Sequence, residues 1–265
     1  MFYSQNVLIE HYKQCLDHED GKATFPKEEY ESFKHFNYKN KVPFTMYADF
    51  EAWNHVITTT NLIESSTVTI QKPLSYGLFI QSNYPDLLAS QYYEFMGNNE
   101  EDCINDFVRI MQTYQDMFYD LLKTNYELHG NDDDVMNFNN SMCCYYCNTP
   151  FDEFSGKVRD HDHYKQYNNY RGAACNKCNL QAKNDFVPLF FFNGSKYDNH
   201  LIFTDLMGTL PPQLLKVLAL TEENYISFGY GCIRVLDAYR FLGPLSLEKL
   251  VNTLRPEDCA YLINL

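Results

Sequence analysis

Positive charge is scarce in this chain. Its 265 residues carry 35 Asp and Glu against 21 Lys and Arg, a formal net charge of -14 at pH 7. A protein that simply binds duplex DNA is usually basic, so this balance argues against that class. It does not argue against a nuclease that admits phosphate through divalent cations, because clustered carboxylates hold such cations. Long apolar runs are also missing. No window of about 18 continuous apolar residues occurs, so neither a membrane-spanning helix nor a membrane partner is expected. The opening MFYSQNVLIEHYKQC has no basic stretch followed by an apolar core and does not read as a secretory signal, so an intracellular protein is expected. Without an export signal, the nine cysteines are not expected to form a disulfide framework. Disorder of the whole chain is not expected either. Hydrophobic residues make up 45% and aromatics 16%, enough for a substantial core.

The patterning divides the chain. Residues 1–42 are polar and mixed, with a short helical pattern at Val7, Leu8, His11, Tyr12 and Cys15. His11 and Cys15 have the spacing of half a zinc finger, or lie on an amphipathic helix by chance. From Pro43, PFTMYADFEAW alternates as a strand does, and LSYGLFIQ (74–81) and QYYEFM (91–96) follow in the same manner. Apolar positions from Ile104 to Leu122 recur at helical spacing, which predicts a helix over 100–128. The polar run GNDDDVMNFNNS (130–141) reads as a domain boundary. Residues 140–184 hold paired cysteines. VPLFFFN (187–193) then reads as a buried central strand and YDNHLIFTDLM (197–207) as a helix. NYISFGY and CIRVLDAY read as strands, and SLEKLVNTL (246–254) as a helix. This gives four parts: 1–42, 43–130, 140–184 and 185–265.

Two acidic motifs stand out. MYADFEA puts Asp49 and Glu51 on one face of a strand, since side chains alternate. Two such carboxylates repel unless a cation lies between them, so the pair suits divalent metal; a solvated strand end would look the same. FFFNGSKYDNHLI delivers Asn193, Tyr197 and Asp198 at a strand-to-helix junction. Asp198 there is either a third metal carboxylate or an ordinary residue near a helix start. Y-x-D-F-E followed by F-x-N-x-x-x-Y-D resembles the first two exonuclease motifs of family B DNA polymerases. LDAYRFLGPLSLEKLVNTL is similar to the segment that follows in protein-primed members from phages, linear plasmids and Maverick-type elements. The resemblance implies a ribonuclease H-like α/β fold built on a mixed sheet. It implies Asp49, Glu51 and Asp198 as ligands of Mg²⁺ or Mn²⁺, and Asn193 and Tyr197 on a single-stranded DNA 3′ end. It also implies DNA and a terminal protein as partners, and a nuclear, viral or mobile-element setting.

The resemblance has gaps. The family's third motif, Y-x-x-x-D, is missing: none of Asp205, Glu222, Glu223, Asp237, Glu248, Glu257 and Asp258 has a tyrosine four residues before it. The polymerase palm and thumb would lie past Leu265. A fragment with little processive exonuclease activity of its own is therefore expected.

Cys144-x-x-Cys147 and Cys175-x-x-Cys178 are two knuckles whose four thiolates suit one tetrahedral Zn²⁺. Cys143 is a possible substitute for Cys144. Between the knuckles lies VRDHDH (158–163), within a locally basic stretch that includes Lys157, Arg159 and Arg171, which can attract phosphate. Asp160 and Asn179 can hold a catalytic Mg²⁺ while His161 deprotonates water; alternatively the histidines only cap the finger. D-H-x-H with R-G-x-x-C-x-x-C-N resembles the ββα-metal finger of recombination endonuclease VII, in the His-Me group. Any DNA cleavage by this chain, on branched or single-stranded DNA, is then expected from the finger. Three readings follow: a polymerase exonuclease region carrying an inserted finger, an independent metal-finger endonuclease, and a non-catalytic nucleic-acid-binding remnant of a mobile element.

Overall fold

A computed structural model describes residues 5, 6, 9, 40–60, 65–182, 184–196, 198, 199, 202, 208–219, 225–243 and 245–255. The half-finger positions His11 and Cys15, and Tyr197, lie outside the described residues. Met1–His35 forms one compact unit; Phe36–Leu265 forms a second and holds every element named below.

Strand β1 (Phe44–Thr60) and strand β2 (Ser65–Ser82) pair antiparallel along their whole length, and β3 (Gln91–Met96) pairs with β2. Alternation explains β1. Phe44, Met46, Ala48 and Phe50 are buried on one face, while Tyr47, Asp49 and Glu51 are exposed on the other. A bulge falls between Glu51 and Ala52.

Helix α1 (Glu100–Leu121) starts on Asn99, whose side chain accepts from the Asp102 N–H at 3.0 Å, and three acids fill its first turn. Its buried stripe includes Ile104, Phe107, Val108, Met111, Tyr114 and Phe118. The helix stops at Leu121 rather than running on to residue 128. The backbone beyond it is used elsewhere: the Tyr126 N–H donates to the His163 carbonyl (3.0 Å) and the His129 N–H to Asn169 Oδ1 (2.7 Å).

Helix α2 (Asp132–Asn140) occupies the polar run read as a boundary. Asn131 and Asp134 make a reciprocal capping box, and acids at 132–134 complement the helix dipole. Strands β4 (Lys157–His161) and β5 (Tyr170–Cys175) form an antiparallel pair and lead into helix α3 (Asn176–Gln181).

The chain then returns to the main sheet as β6 (Val187–Phe191), followed by β7 (Leu215–Ala219), β8 (Tyr225–Tyr230) and β9 (Ile233–Asp237). Short helices α4 (Tyr239–Leu242) and α5 (Leu247–Val251) follow. The seven strands run in the order β3-β2-β1-β6-β9-β8-β7. β6 lies parallel to both β1 and β9, and the other pairings are antiparallel. The molecule is thus mixed α/β with one seven-stranded mixed sheet and a small ββα unit.

One apolar core lies between the sheet and α1. Phe107 sits at its centre, with ring centroids 4.9 Å from Phe50, 5.0 Å from Tyr76 and 6.5 Å from Phe191. Phe107→Ala should cost about 3–5 kcal/mol of folding free energy, read from urea unfolding. Asp120→Ala, on the exposed face of the same helix, should stay within about 0.5 kcal/mol. Equal losses would contradict this placement of the core.

Candidate functional site

The cysteine knuckles are shaped by their own backbones. In the first, the Asn148 N–H donates to the Cys144 carbonyl (2.8 Å) and the Cys144 N–H to the Thr149 carbonyl (2.9 Å). Asn148 takes the left-handed conformation (φ 59°), which asparagine tolerates. In the second, Cys175 ends β5 and caps α3, its Sγ accepting from the Cys178 N–H at 3.5 Å. The sulfurs of Cys144, Cys147, Cys175 and Cys178 all lie within 4.8 Å of one another. Sulfurs about 2.3 Å from a tetrahedral zinc stand roughly 3.8 Å apart, so this quartet can hold a metal ion such as zinc. Cys144 is buried and Cys143 exposed, which decides between them. Burial pushes the thiols of Cys175 and Cys178 up. At Cys147 burial works in the same direction, but hydrogen bonds from Thr149 and the neighbouring cysteines outweigh it and hold the thiol at about 6.

The finger is bolted to the sheet unit. Tyr84 Oη donates to Asp162 Oδ2 (2.9 Å), and Asn40 Nδ2 donates to Tyr146 Oη (2.6 Å). Asp160 is buried and accepts from the hydroxyls of Tyr145 and, at 3.2 Å, Tyr146. Asp160 and Asn179 line one cavity of about 450 Å³, together with His163 and Arg171. His161 is not among its lining residues. Its Nε2 stands 3.2 Å from the Tyr126 carbonyl, which can only accept, so Nε2 carries the proton and Nδ1 the lone pair. The His161 ring stacks on His163 at 4.4 Å, and burial, then the neighbouring His161 imidazole, lower the pKa of His163.

The cations expected to meet DNA here have partners already. Lys157 Nζ donates to the Ser141 carbonyl (2.7 Å), closing the end of α2. Arg159 lies 4.8 Å over the Phe138 ring, and Arg171 pairs with Asp162 at 3.1 Å. Lys157 and Arg171 thus help hold the finger together, while Arg159 stays exposed beside its ring.

The acidic motifs do meet. Asp198 is 1% exposed, and its Oδ1 accepts from the Phe50 N–H (3.2 Å), between Asp49 and Glu51 on β1. Among the described residues, its Oδ2 is buried with no hydrogen-bond partner. Burial pushes its carboxyl up to about 7, and the nearby charges of Asp49 and Asp237 add to this. Burial also raises Asp49, with Glu51 adding. Because folded Asp198 holds its proton more tightly than an unfolded aspartate, it weakens the fold progressively as pH rises from about 4 to about 7, and by a constant amount above that. The three carboxylates are less tightly gathered than the sulfurs: among the described residues, the cysteine quartet is the one group of three or more possible ligands all within 4.8 Å.

The turn that delivers Asp198 needs its Asn-Gly. Asn193 has φ 59°, and a Cβ on Gly194 would meet Phe191 Cβ at 2.6 Å. Asp237 was given no role by its sequence pattern. It is 2% exposed, and its carboxylate accepts from the Ser195 N–H (3.1 Å) and hydroxyl and from the Tyr239 N–H (3.0 Å). An acid closing the alternating run IRVLD was the available signal.

Compared with family models, curated proteins and solved structures, the chain matches none.

Freshly purified protein should contain about one zinc per chain, with Zn–S near 2.3 Å by X-ray absorption. Cys175→Ser should lower the zinc content, and chelation should unfold residues 142–182, because the finger's own apolar cluster is small. Absence of zinc from unchelated protein would count against the site.

Proposed function

We propose that this chain is the 3′–5′ exonuclease region of a protein-primed family B DNA polymerase, with a ribonuclease H-like fold and an inserted zinc finger, acting on single-stranded DNA ends. The observation that carries this reading is the Asp198 carboxylate, buried against β1 beside Asp49 with one oxygen unsatisfied. A buried, unpartnered carboxylate oxygen next to a second carboxylate is costly. A divalent cation offsets that cost, and oxygen donors of this kind suit Mg²⁺ or Mn²⁺. Two separate stretches of chain also build one sheet, which brings the two acidic motifs onto adjoining elements as such a fold requires.

In this reading Asp49, Glu51 and Asp198 hold the cation. When bound, it polarises water and neutralises charge on the phosphate. Asp237 fixes the turn through Ser195 and so positions Asp198. By the resemblance, Asn193 at this turn and Tyr197, which lies outside the described residues, would meet a 3′ end.

The finger favours a second reading, a His-Me endonuclease, through one feature: the Tyr126 carbonyl leaves Nδ1 of His161 free to act as a base. Asp160 and Asn179 would be its metal ligands. The absence of His161 from the cavity lining and the two tyrosines on Asp160 place this reading behind the first.

Mn²⁺-dependent shortening of a 5′-labelled single strand from its 3′ end should be slow but measurable. Asp49→Ala and Asp198→Asn should each reduce it by about 10²–10³-fold, the scale on which loss of one charge-stabilising group acts. His161→Ala should leave it unchanged. Cleavage lost in His161→Ala and kept in Asp49→Ala would move the activity to the finger, and no cleavage by any form would favour the non-catalytic reading.

A further inference from the structure

The outer strands of the sheet carry a feature that the carboxylate site does not use. On β9, Ile233 and Val235 face the core while Arg234 is exposed, and on β8 Phe228 and Tyr230 are buried. Register places Lys216 of β7 opposite Gly229, and Gly229 opposite Arg234. Lys216 and Arg234 therefore share the sheet face turned away from α1. A groove of about 500 Å³ runs over this face, lined by both of them and by Arg240, Phe186, Phe241 and Asp185.

Three cations in one groove are unusual in a chain of net charge -14. Four other cations, Lys72, Arg109, Lys123 and Arg171, are paired with carboxylates. Among the described residues no ion pair neutralises Lys216, Arg234 or Arg240. Asp237 also lines the groove, but its oxygens serve Ser195 and Tyr239. The groove is therefore cationic, with Asp185 its one uncommitted acid.

Aromatic rings are interleaved with these charges. The Arg234 guanidinium lies 4.1 Å over Phe186. Phe241 is 69% exposed and packs its edge on Phe190 at 6.0 Å, and Phe190 stacks on Tyr47 at 5.9 Å. Tyr47 is two residues from Asp49, on the same face of β1. A line of rings thus joins the groove to the acidic strand. Cations beside open rings match phosphates and bases together. An acidic peptide would use the cations and leave the rings idle.

We propose that this groove carries single-stranded nucleic acid, with phosphates on Lys216, Arg234 and Arg240 and a base on Phe241, and leads its end past Phe190 and Tyr47 toward Asp49. The direction toward Asp49 rests on the exonuclease reading; the binding does not.

The test is fluorescence anisotropy of a labelled oligothymidylate with zinc-loaded protein and no added Mg²⁺ or Mn²⁺. The double variant Lys216→Ala/Arg240→Ala should weaken binding about tenfold or more and flatten the slope of log K against log salt by roughly 1.4, about 0.7 for each phosphate contact on a single strand. Phe241→Ala should weaken binding roughly tenfold with the slope unchanged, because stacking is not ionic. Arg240→Lys should keep the slope, and a urea-unfolding midpoint like the wild type's reports that each variant is folded. Wild-type binding by both Lys216→Ala/Arg240→Ala and Phe241→Ala overturns the proposal, even if Asp49→Ala abolishes strand shortening and the exonuclease reading stands. Weakened binding by these variants upholds the groove, even if no form of the protein shortens a strand and the exonuclease reading falls. Displacement of the oligonucleotide by polyglutamate, with Phe241→Ala silent, would make the groove a site for acidic protein and overturn the proposal.

Discussion

Strand β6 alone has parallel neighbours on both edges, β1 and β9, and the arrangement of the sheet unit follows from its burial. Val187, Leu189 and Phe191 are each fully buried. Parallel strands need long crossovers, and here the crossover from the β1–β3 meander holds α1, α2 and the finger. The ladder between β1 and β6 spans only Met46↔Leu189 and Tyr47↔Phe190. The apolar packing of Phe50, Phe107 and Phe191 therefore does most to keep the two halves together. The Asn193-Gly194 turn follows β6, and Asp198 then lies against β1, accepting from the Phe50 N–H. The position of the acidic site is a consequence of core packing, and its cost is a buried carboxylate with one oxygen unsatisfied.

The finger shows the opposite economy. Its apolar cluster consists of little more than Cys144, Tyr146, Ala174, Cys175 and Cys178, too little to hold a fold without metal. Its polar groups are turned inward as struts. Asp162 receives Tyr84 and Arg171, Asp160 receives two tyrosines, and Lys157 closes α2. Lys157 and Arg171, which looked ready for phosphate, are thus engaged within the finger. Over β7 and β9, Lys216 and Arg234 have no carboxylate partner among the described residues.

Much of this was legible in the sequence where a short-range rule fixes the outcome. Alternation marked β1 and β9, the dense apolar run marked β6, and C-x-x-C spacing marked the sulfur quartet. Helix α2 was missed because DDDVMNFNN has almost no apolar stripe; what stabilises it is the Asn131–Asp134 capping box and a dipole complemented by three acids. The end of α1 was overrun because apolar periodicity continues past Leu121, while the backbone at 126–129 pairs with the finger. The β7 strand escaped notice because Lys216, Val217 and Leu218 are all exposed. The part played by Asp237 depends on Ser195, a contact between residues 42 positions apart that no local pattern encodes.

Under the proposed reading, Asp198 and its neighbours on β1 hold a divalent cation. Urea unfolding at pH 8, with and without Mn²⁺, tests it most directly. Without Mn²⁺, Asp198→Asn should be more stable than wild type, since it removes a buried charge. Saturating Mn²⁺ should stabilise wild type by about 2.7 kcal/mol at a hundredfold excess over Kd, and should leave Asp198→Asn unmoved. An equal gain in both proteins, or a gain in neither, would contradict the account.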